Sequence, residues 1–269
     1  MVNKKIKYSH IATHKSVIRN FSNIGFMKMY GLIGFPLSHS FSKGFFQEKF
    51  EKENITHCRY ENFPIPGISQ FTTLLEQHPE LNGINVTIPY KEAVIPFLDE
   101  LSKAAAQIGA VNCIHIKDGK RKGYNTDVIG FTRSLQPLLQ SHHTHALVLG
   151  TGGAAKAVMY ALEELGISYT VVSRQAANGA IAYASLDQAA METHTLIINT
   201  TPLGMYPKVD TFPGIPYQYI TSRHLLYDLV YNPAETSFLQ KGAAQGAVIK
   251  NGHEMLILQA EASWQIWNP

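Results

Sequence analysis

At 269 residues, with hydrophobic residues at 45% and charged residues at 16%, the chain can hold one large or two ordinary domains and is too apolar to be disordered. No apolar run approaches the roughly 20 residues needed to span a bilayer, and Cys58 and Cys113 form no CxxC pair, which argues against a disulfide framework or a cysteine zinc site and suits a reducing, cytoplasmic setting. The formal charge of +3 misleads, because residues 1–28 carry six basic residues and no acid; the remainder is −3 and offers no face for nucleic acid.

The basic stretch 1–28 reads as an extension outside the fold, either an organelle transit segment or the product of a start codon assigned too early. Met27 and Met29 stand at the first convincing strand and favour the second. From Met29 onward strand-like and helix-like text alternate. "MYGLIG" (29–34) reads as a buried strand and "SKGFFQEKFEKE" (42–53) as an amphipathic helix. "CRYENF" (58–63) is a strand, 67–78 a helix, and "GINVTI" (83–88) a strand whose Asn85 and Thr87 alternate with apolar residues. Helical text follows over 90–108, then a strand pair over 110–117 and 122–125, and a helix over 128–139. After the polar link "QSHHTH" a second unit opens: strand "HALVLG", helix 152–166 closed by Gly166, strand "SYTVVSR", and further strands in "HTLIINTTP", "HLLYDLV" and "GAVIK". Helical spacing returns in "GHEMLILQAEASWQIW" (252–267). Strands separated by helix-length segments imply βαβ units and mostly parallel sheets, hence two α/β domains.

"VLGTGGAAKAV" sets Gly150, Gly152 and Ala155 in the G-x-G-x-x-(G/A) spacing between a strand and a helix. Gly150 permits the tight turn, Gly152 lets backbone approach a pyrophosphate, and Ala155 allows close packing of helix on strand. An ordinary βα turn is the plainer alternative, but the flanking strand, helix and following strand are all present. An NAD enzyme usually carries an acid at the end of that next strand; here the chain reads "VVSRQ", with no Asp or Glu between Glu164 and Asp187. Arg174 can meet a 2′-phosphate with Ser173 beside it, so NADP is the expected coenzyme.

Three polar groups and one lysine are hard to explain by packing. "GFPLSHSFSK" puts Ser38 and Ser40 after a strand, where hydroxyls can bind a ligand or simply cap a helix. "IGAVNCI" sets Asn112 among apolar neighbours, and a buried amide needs partners. "GYNTDVIGF" puts Asp127 at the junction of the two units, where capping a helix that begins at Val128 is an equal alternative. In "INVTIPYKE", Lys91 lies just beyond a strand, where α/β sheets hold their ligands, in text that opens a helix.

Together "GFPLSHSFSK", "NVTIPYKE", "IGAVNCI", "YNTDVIGF", "LGTGGAAKAV", "INTTPLGM" and "NGHEMLILQAE" follow the order and spacing of the shikimate dehydrogenase family, which the chain resembles over about residues 29–269. The resemblance implies NADP-linked reduction of 3-dehydroshikimate to shikimate, on the pathway to aromatic amino acids. It implies that Ser38 and Ser40 hold the substrate carboxylate and that Thr87, Asn112 and Gln259 bind its hydroxyls with Lys91 and Asp127, the catalytic pair. Gly150, Gly152, Gly153 and Ala154 would cradle the pyrophosphate, and Ser173 and Arg174 would read the adenosine ribose. Thr200, Thr201, Met205, Tyr231 and Gly252 would line the nicotinamide end. It also implies a substrate domain of 29–127 plus 251–269, a Rossmann-like NADP domain over 128–250, and a final helix that returns to the first domain. Small-molecule ligands only are expected, with no metal, no nucleic acid and no membrane, in a monomer or homodimer.

The chain departs from the family after Arg174. The usual asparagine-arginine-threonine run and second arginine give way to "SRQAANGAIAYASL", so the helix normally following is expected to be lost. Quinate with NAD and a catalytically silent ligand-binding paralogue remain rival readings; Lys91, Asp127 and the glycine turn speak against silence. The histidines of "HHTH" read as a polar linker in preference to a metal site.

Overall fold

The computed structural model describes residues 27–37, 40–177 and 179–269; the basic extension, apart from Met27 and Lys28, lies outside them. Two six-stranded sheets organise the chain. The first holds β1 (Lys28–Gly34), β2 (Cys58–Pro64), β3 (Leu81–Val86), β4 (Glu100–Leu101), β5 (Cys113–Lys117) and β6 (Lys120–Tyr124) in the order β2-β1-β3-β5-β6-β4. β1 pairs in parallel with β2 and β3, β4 runs parallel to β6, and the β5–β6 hairpin is antiparallel. The second sheet holds β7 (His145–Leu149), β8 (Ser168–Ser173), β9 (Ile181–Ala182), β10 (Leu196–Asn199), β11 (Leu225–Asp228) and β12 (Val248–Lys250). Its order, β12-β11-β10-β7-β8-β9, is all parallel and reverses beside β7, where a doubly wound sheet opens its ligand crevice.

Side-chain alternation gives each sheet two buried faces. In β7 and β10, Ala146, Val148, Leu196 and Ile198 face α4 (Thr126–Leu135) and α5 (Gly153–Glu164), while Leu147, Leu149 and Ile197 face α6 (Gln188–Thr193) and α7 (Ser237–Ala243). In β1, Met29 and Ile33 join the core under α2 (Gln70–Gln77), and Tyr30 and Leu32 join Phe46 and Phe50 of α1 (Phe41–Lys52). Near-continuous apolar strands are what a sheet covered on both faces requires.

The last helix, α8 (His253–Trp267), follows the second sheet yet closes the first. Trp267 donates its indole N–H to the Ile114 carbonyl at 2.9 Å and stacks on Tyr30 at 4.9 Å. A Cβ at Gly83 would come within 2.3 Å of the Trp267 ring, so β3 needs glycine there. The buried Lys49 of α1 holds Glu261 of α8 at 2.9 Å. At its other end Met255 joins the core of the second sheet.

Three local expectations are corrected. Residues 90–108 do not form one helix: a turn carries Lys91, a 3-10 turn spans Ile95–Phe97, β4 intervenes, and only α3 (Lys103–Ile108) is α-helical. Pro96 lacks the N–H group that a continuous helix would need there. The helix α4 begins at Thr126, not Val128, and Asn125 is its cap, accepting the Val128 N–H at 3.4 Å. Lys28, assigned to the extension, is the first residue of β1. The short helices α6 and α7 carry too few periodic positions to be read beforehand. Between β8 and α6 no α-helix forms among the described residues, as expected from the altered segment. No helix among them is long and apolar enough to cross a membrane.

Candidate active site

The parallel strands β1 and β3 end side by side, and their outgoing loops meet where the Phe35 N–H bonds the Ile88 carbonyl at 3.2 Å. The turn after β3 is pinned by Tyr90, whose hydroxyl donates to the Ile65 carbonyl at 2.6 Å, and by the Lys91 carbonyl, which accepts the Val111 N–H at 2.7 Å. The Lys91 side chain is thereby presented at the strand ends. Its ammonium donates to Asp127 Oδ2 at 2.6 Å, with the two side chains 20% and 13% exposed. Such a short charge-assisted bond in a partly dry site is strong, yet open enough for a small ligand.

Asp127 is free for that bond because Asn125 does the capping. The Asn125 amide also donates to the Ala110 carbonyl at 3.0 Å, fixing the start of α4 against the loop before β5. Beside it, Asn112 Oδ1 accepts the Thr126 N–H at 2.6 Å and the Thr126 hydroxyl at 3.2 Å. The Thr126 hydroxyl in turn lies 3.2 Å from Ser263 Oγ and 3.5 Å from Gln259 Oε1. Asn112 and Gln259, more than a hundred residues apart, thus share one buried network beside the Lys91–Asp127 pair. Asn85 of β3 is buried within it: it accepts from the Tyr60 hydroxyl at 2.8 Å and donates to Ser263 Oγ at 2.9 Å.

Thr87 is half-buried at the end of β3. Ser40 occupies the N-cap position of α1 but makes no capping bond, and its hydroxyl oxygen is buried with no partner among the described residues. An orphaned buried hydroxyl costs about 1–3 kcal/mol, which a ligand would relieve. Ser38 lies outside the described residues.

Across from Lys91 stands the glycine turn. Gly150 sits at φ 113°, and a Cβ there would come within 2.7 Å of Thr200 Oγ1. At Gly152 and Gly153, where α5 begins, a Cβ would meet nothing within 4 Å, so the chain leaves open room before a helix N-terminus. Ala154 follows in the first turn, Ala155 is fully buried, and Lys156 reaches Glu92, the neighbour of Lys91, at 2.7 Å. That contact joins the glycine-turn helix to the lysine turn.

At the end of β8 the Ser173 hydroxyl donates to the Gln175 carbonyl and shapes the turn that exposes Arg174. Arg174 makes no ion pair among the described residues. The Thr200 hydroxyl bonds the Leu149 carbonyl at 2.7 Å and the Thr201 hydroxyl bonds Asn199 at 2.6 Å, so both serve first to shape their loop. Met205 is 47% exposed at its end. Tyr231 packs edge-on against Phe41 at 6.2 Å, and Gly252 lets α8 start where a Cβ would come within 2.1 Å of the Leu229 carbonyl. The open glycine turn, the unpaired arginine and the absence of an acid at the end of β8 fit a phosphorylated dinucleotide. No group of three potential metal ligands occurs among the described residues; His142 and His143 both contact the Arg223 carbonyl.

Sequence reading missed Asn85, Asn125, Ser263 and Asn199. Asn85 and Asn125 flank residues it did single out, and a polar residue inside an apolar strand was the available signal.

A doubly wound parallel sheet with an open glycine turn, set against a lysine–carboxylate pair on a second sheet, has the build of a dinucleotide-dependent oxidoreductase. Residues 32–114 match the model of the shikimate dehydrogenase substrate binding domain. The NADP(+) shikimate dehydrogenase of Clostridium beijerinckii is 39% identical over 90% of this chain and 92% of its own. That of Desulforamulus reducens is 35% identical over 90% of each. The shikimate 5-dehydrogenase of Thermus thermophilus, solved in complex with NADP(H) and shikimate, matches at a TM-score of 0.80 and 30% identity, covering 90% of this chain and 94% of that one. The chain belongs to the shikimate dehydrogenase family.

Proposed function

We propose that the chain catalyses the reversible NADPH-dependent reduction of 3-dehydroshikimate to shikimate, with Lys91 and Asp127 as its catalytic pair. The 2.6 Å bond between their side chains is the observation that carries the reading. In this reading residues 29–127 with 251–269 bind substrate and 128–250 bind coenzyme.

Ketone reduction needs a hydride at carbon and a proton at oxygen. NADPH, when bound, supplies the hydride. The chain must supply the proton at close range, and the Lys91 ammonium can donate it while polarising the carbonyl. Asp127 accepts a hydrogen bond from that ammonium and keeps it aimed; in the reverse direction the neutral amine takes the proton back. Ser40, with Ser38, would take the substrate carboxylate, which suits a Ser40 hydroxyl that has no partner among the described residues. Thr87, Asn112 and Gln259 would orient the ring hydroxyls; the Asn112 oxygen is already engaged by Thr126, which leaves its amide N–H groups for the ligand. Gly150, Gly152, Gly153 and Ala154 would surround the pyrophosphate. Ser173 and Arg174 would take the adenosine end, and Thr200, Thr201, Met205, Tyr231 and Gly252 the nicotinamide end.

Lys91→Ala tests this directly. Its kcat is expected to fall by about 10²–10⁴-fold, the usual loss for a general acid–base group, with substrate affinity comparatively intact. An unchanged kcat with only KM raised would reassign Lys91 to binding.

A further inference from the structure

β10 and β11 end on two polar residues that pair across the sheet, Asn199 and Asp228, both completely buried. The Asp228 carboxylate collects three bonds there. Oδ1 accepts from Asn199 Nδ2 at 2.9 Å and from the Val230 N–H at 3.0 Å, and Oδ2 accepts the Thr236 hydroxyl at 2.5 Å. These partners belong to three different segments: the end of β10, the loop after β11, and the cap of α7.

The bond to Asn199 has a directional consequence. A carboxylate can only accept, so Asn199 must turn its NH2 toward Asp228 and its carbonyl oxygen the other way. That oxygen accepts the Thr201 N–H at 3.0 Å and the Thr201 hydroxyl at 2.6 Å. Thr201 Oγ1 in turn accepts the Leu203 N–H at 3.3 Å. Thr200 and Thr201 press on Gly150: a Cβ at Gly150 would come within 2.7 Å of Thr200 Oγ1 and 3.0 Å of Thr201 Cγ2. One buried carboxylate is therefore linked through one amide to the loop 200–205 and through that loop to the glycine turn. Burial raises the Asp228 carboxyl to about 6 despite the three bonds that lower it, so it is ionised at neutral pH and the acceptor-only argument holds.

We propose that Asp228 is a positioning residue for the coenzyme, which it does not touch: by fixing the Asn199 amide it holds the loop 200–205 against the glycine turn. The proposal rests on the coenzyme reading given above. In an Asp228→Asn protein the amide oxygen can still accept from Asn199 and Val230 while the new NH2 faces the Thr236 hydroxyl, which can accept, so the anchor survives. In Asp228→Ala no acceptor is left for Asn199, and the loop loses its anchor while the Lys91 side of the cleft is untouched.

The test is NADPH binding to the full-length protein, read by its fluorescence, beside shikimate binding read by calorimetry. Asp228→Ala is expected to weaken NADPH roughly 10- to 100-fold, the cost of leaving buried polar groups unpaired, with shikimate affinity unchanged, while Asp228→Asn keeps most of the wild-type NADPH affinity. Asn199→Ala removes the link itself and leaves Asp228 its Val230 and Thr236 bonds. It is expected to weaken NADPH to a similar extent, and to do so even where Asp228→Ala fails to fold. Wild-type NADPH binding by Asn199→Ala or by a folded Asp228→Ala, or parallel loss of both ligands, would each overturn the proposal. A folded wild type that binds no NADPH would instead sink the coenzyme reading on which it stands.

Discussion

Asp127 carries two possible duties, and the structure separates them. A carboxylate at a helix start usually caps the first turn, worth about 0.5–2 kcal/mol. Here Asn125 holds that position, so the Asp127 carboxylate is left to Lys91 at 2.6 Å. Asp127→Asn is therefore expected to cost little stability, since at most a modest charge–dipole term at the helix N-terminus is lost. Activity is expected to collapse, because a neutral amide no longer anchors the ammonium. Thermal melting beside a steady-state assay separates the two; wild-type turnover in this variant would defeat the catalytic assignment. The cap was not legible in advance because it depends on where α4 begins. A shift from Val128 to Thr126 transfers the role from Asp127 to Asn125.

At the scale of elements, α8 does two jobs. It carries Gln259 and Ser263 to the site and closes the α1 face of the first sheet, with Trp267 3% exposed between Tyr30 and Gly83. Trp267→Ala is expected to cost about 3–5 kcal/mol, as aromatic truncations in cores do. That corresponds to a fall of roughly 6–20 °C in melting temperature. A drop of a degree or two would show that α8 is held elsewhere. This helix also explains what the sequence could and could not say. Strands β1, β3, β7 and β8, the glycine turn and α5 were legible, because their signals lie within a few residues of one another. The alternation in "INVTI" gave no partner for Asn85, whose burial depends on α8, a helix far along the chain, where Ser263 accepts its amide. The break-up of 90–108 was likewise hidden: β4 forms only because β6 lies beside it.

At the scale of the whole molecule, pH adds a test of the second sheet's base. His143 accepts the Gln140 N–H on Nδ1 at 2.9 Å and His224 accepts the Thr221 N–H at 3.0 Å, while their Nε2 atoms face the Arg223 and Met191 carbonyls. Each ring thus fits as the neutral Nε2–H tautomer, and protonating Nδ1 would break a bond. Burial holds both below the ordinary histidine value of 6.5. Since the unfolded chain binds protons first, their stabilisation is full above about 6.5 and is lost as pH falls through the folded values. Asp228 works oppositely: raised from 3.8 to about 6, it favours folding at low pH and loses that contribution as pH rises to about 6. Melting temperature is expected to fall on acidification from pH 7 toward 5, less steeply in His224→Gln, whose amide can keep both bonds. Identical slopes would remove His224 from the account. The claim that joins both sheets is NADP-linked chemistry on shikimate, and absorbance at the nicotinamide band tests it most directly when shikimate and quinate are crossed with NADP and NAD. The expected result is fastest turnover for shikimate with NADP, preferred over NAD by roughly 10- to 100-fold, the discrimination one charge-assisted arginine contact can give. A folded, full-length protein that leaves NADP unreduced in the presence of shikimate, or prefers quinate with NAD, would contradict it.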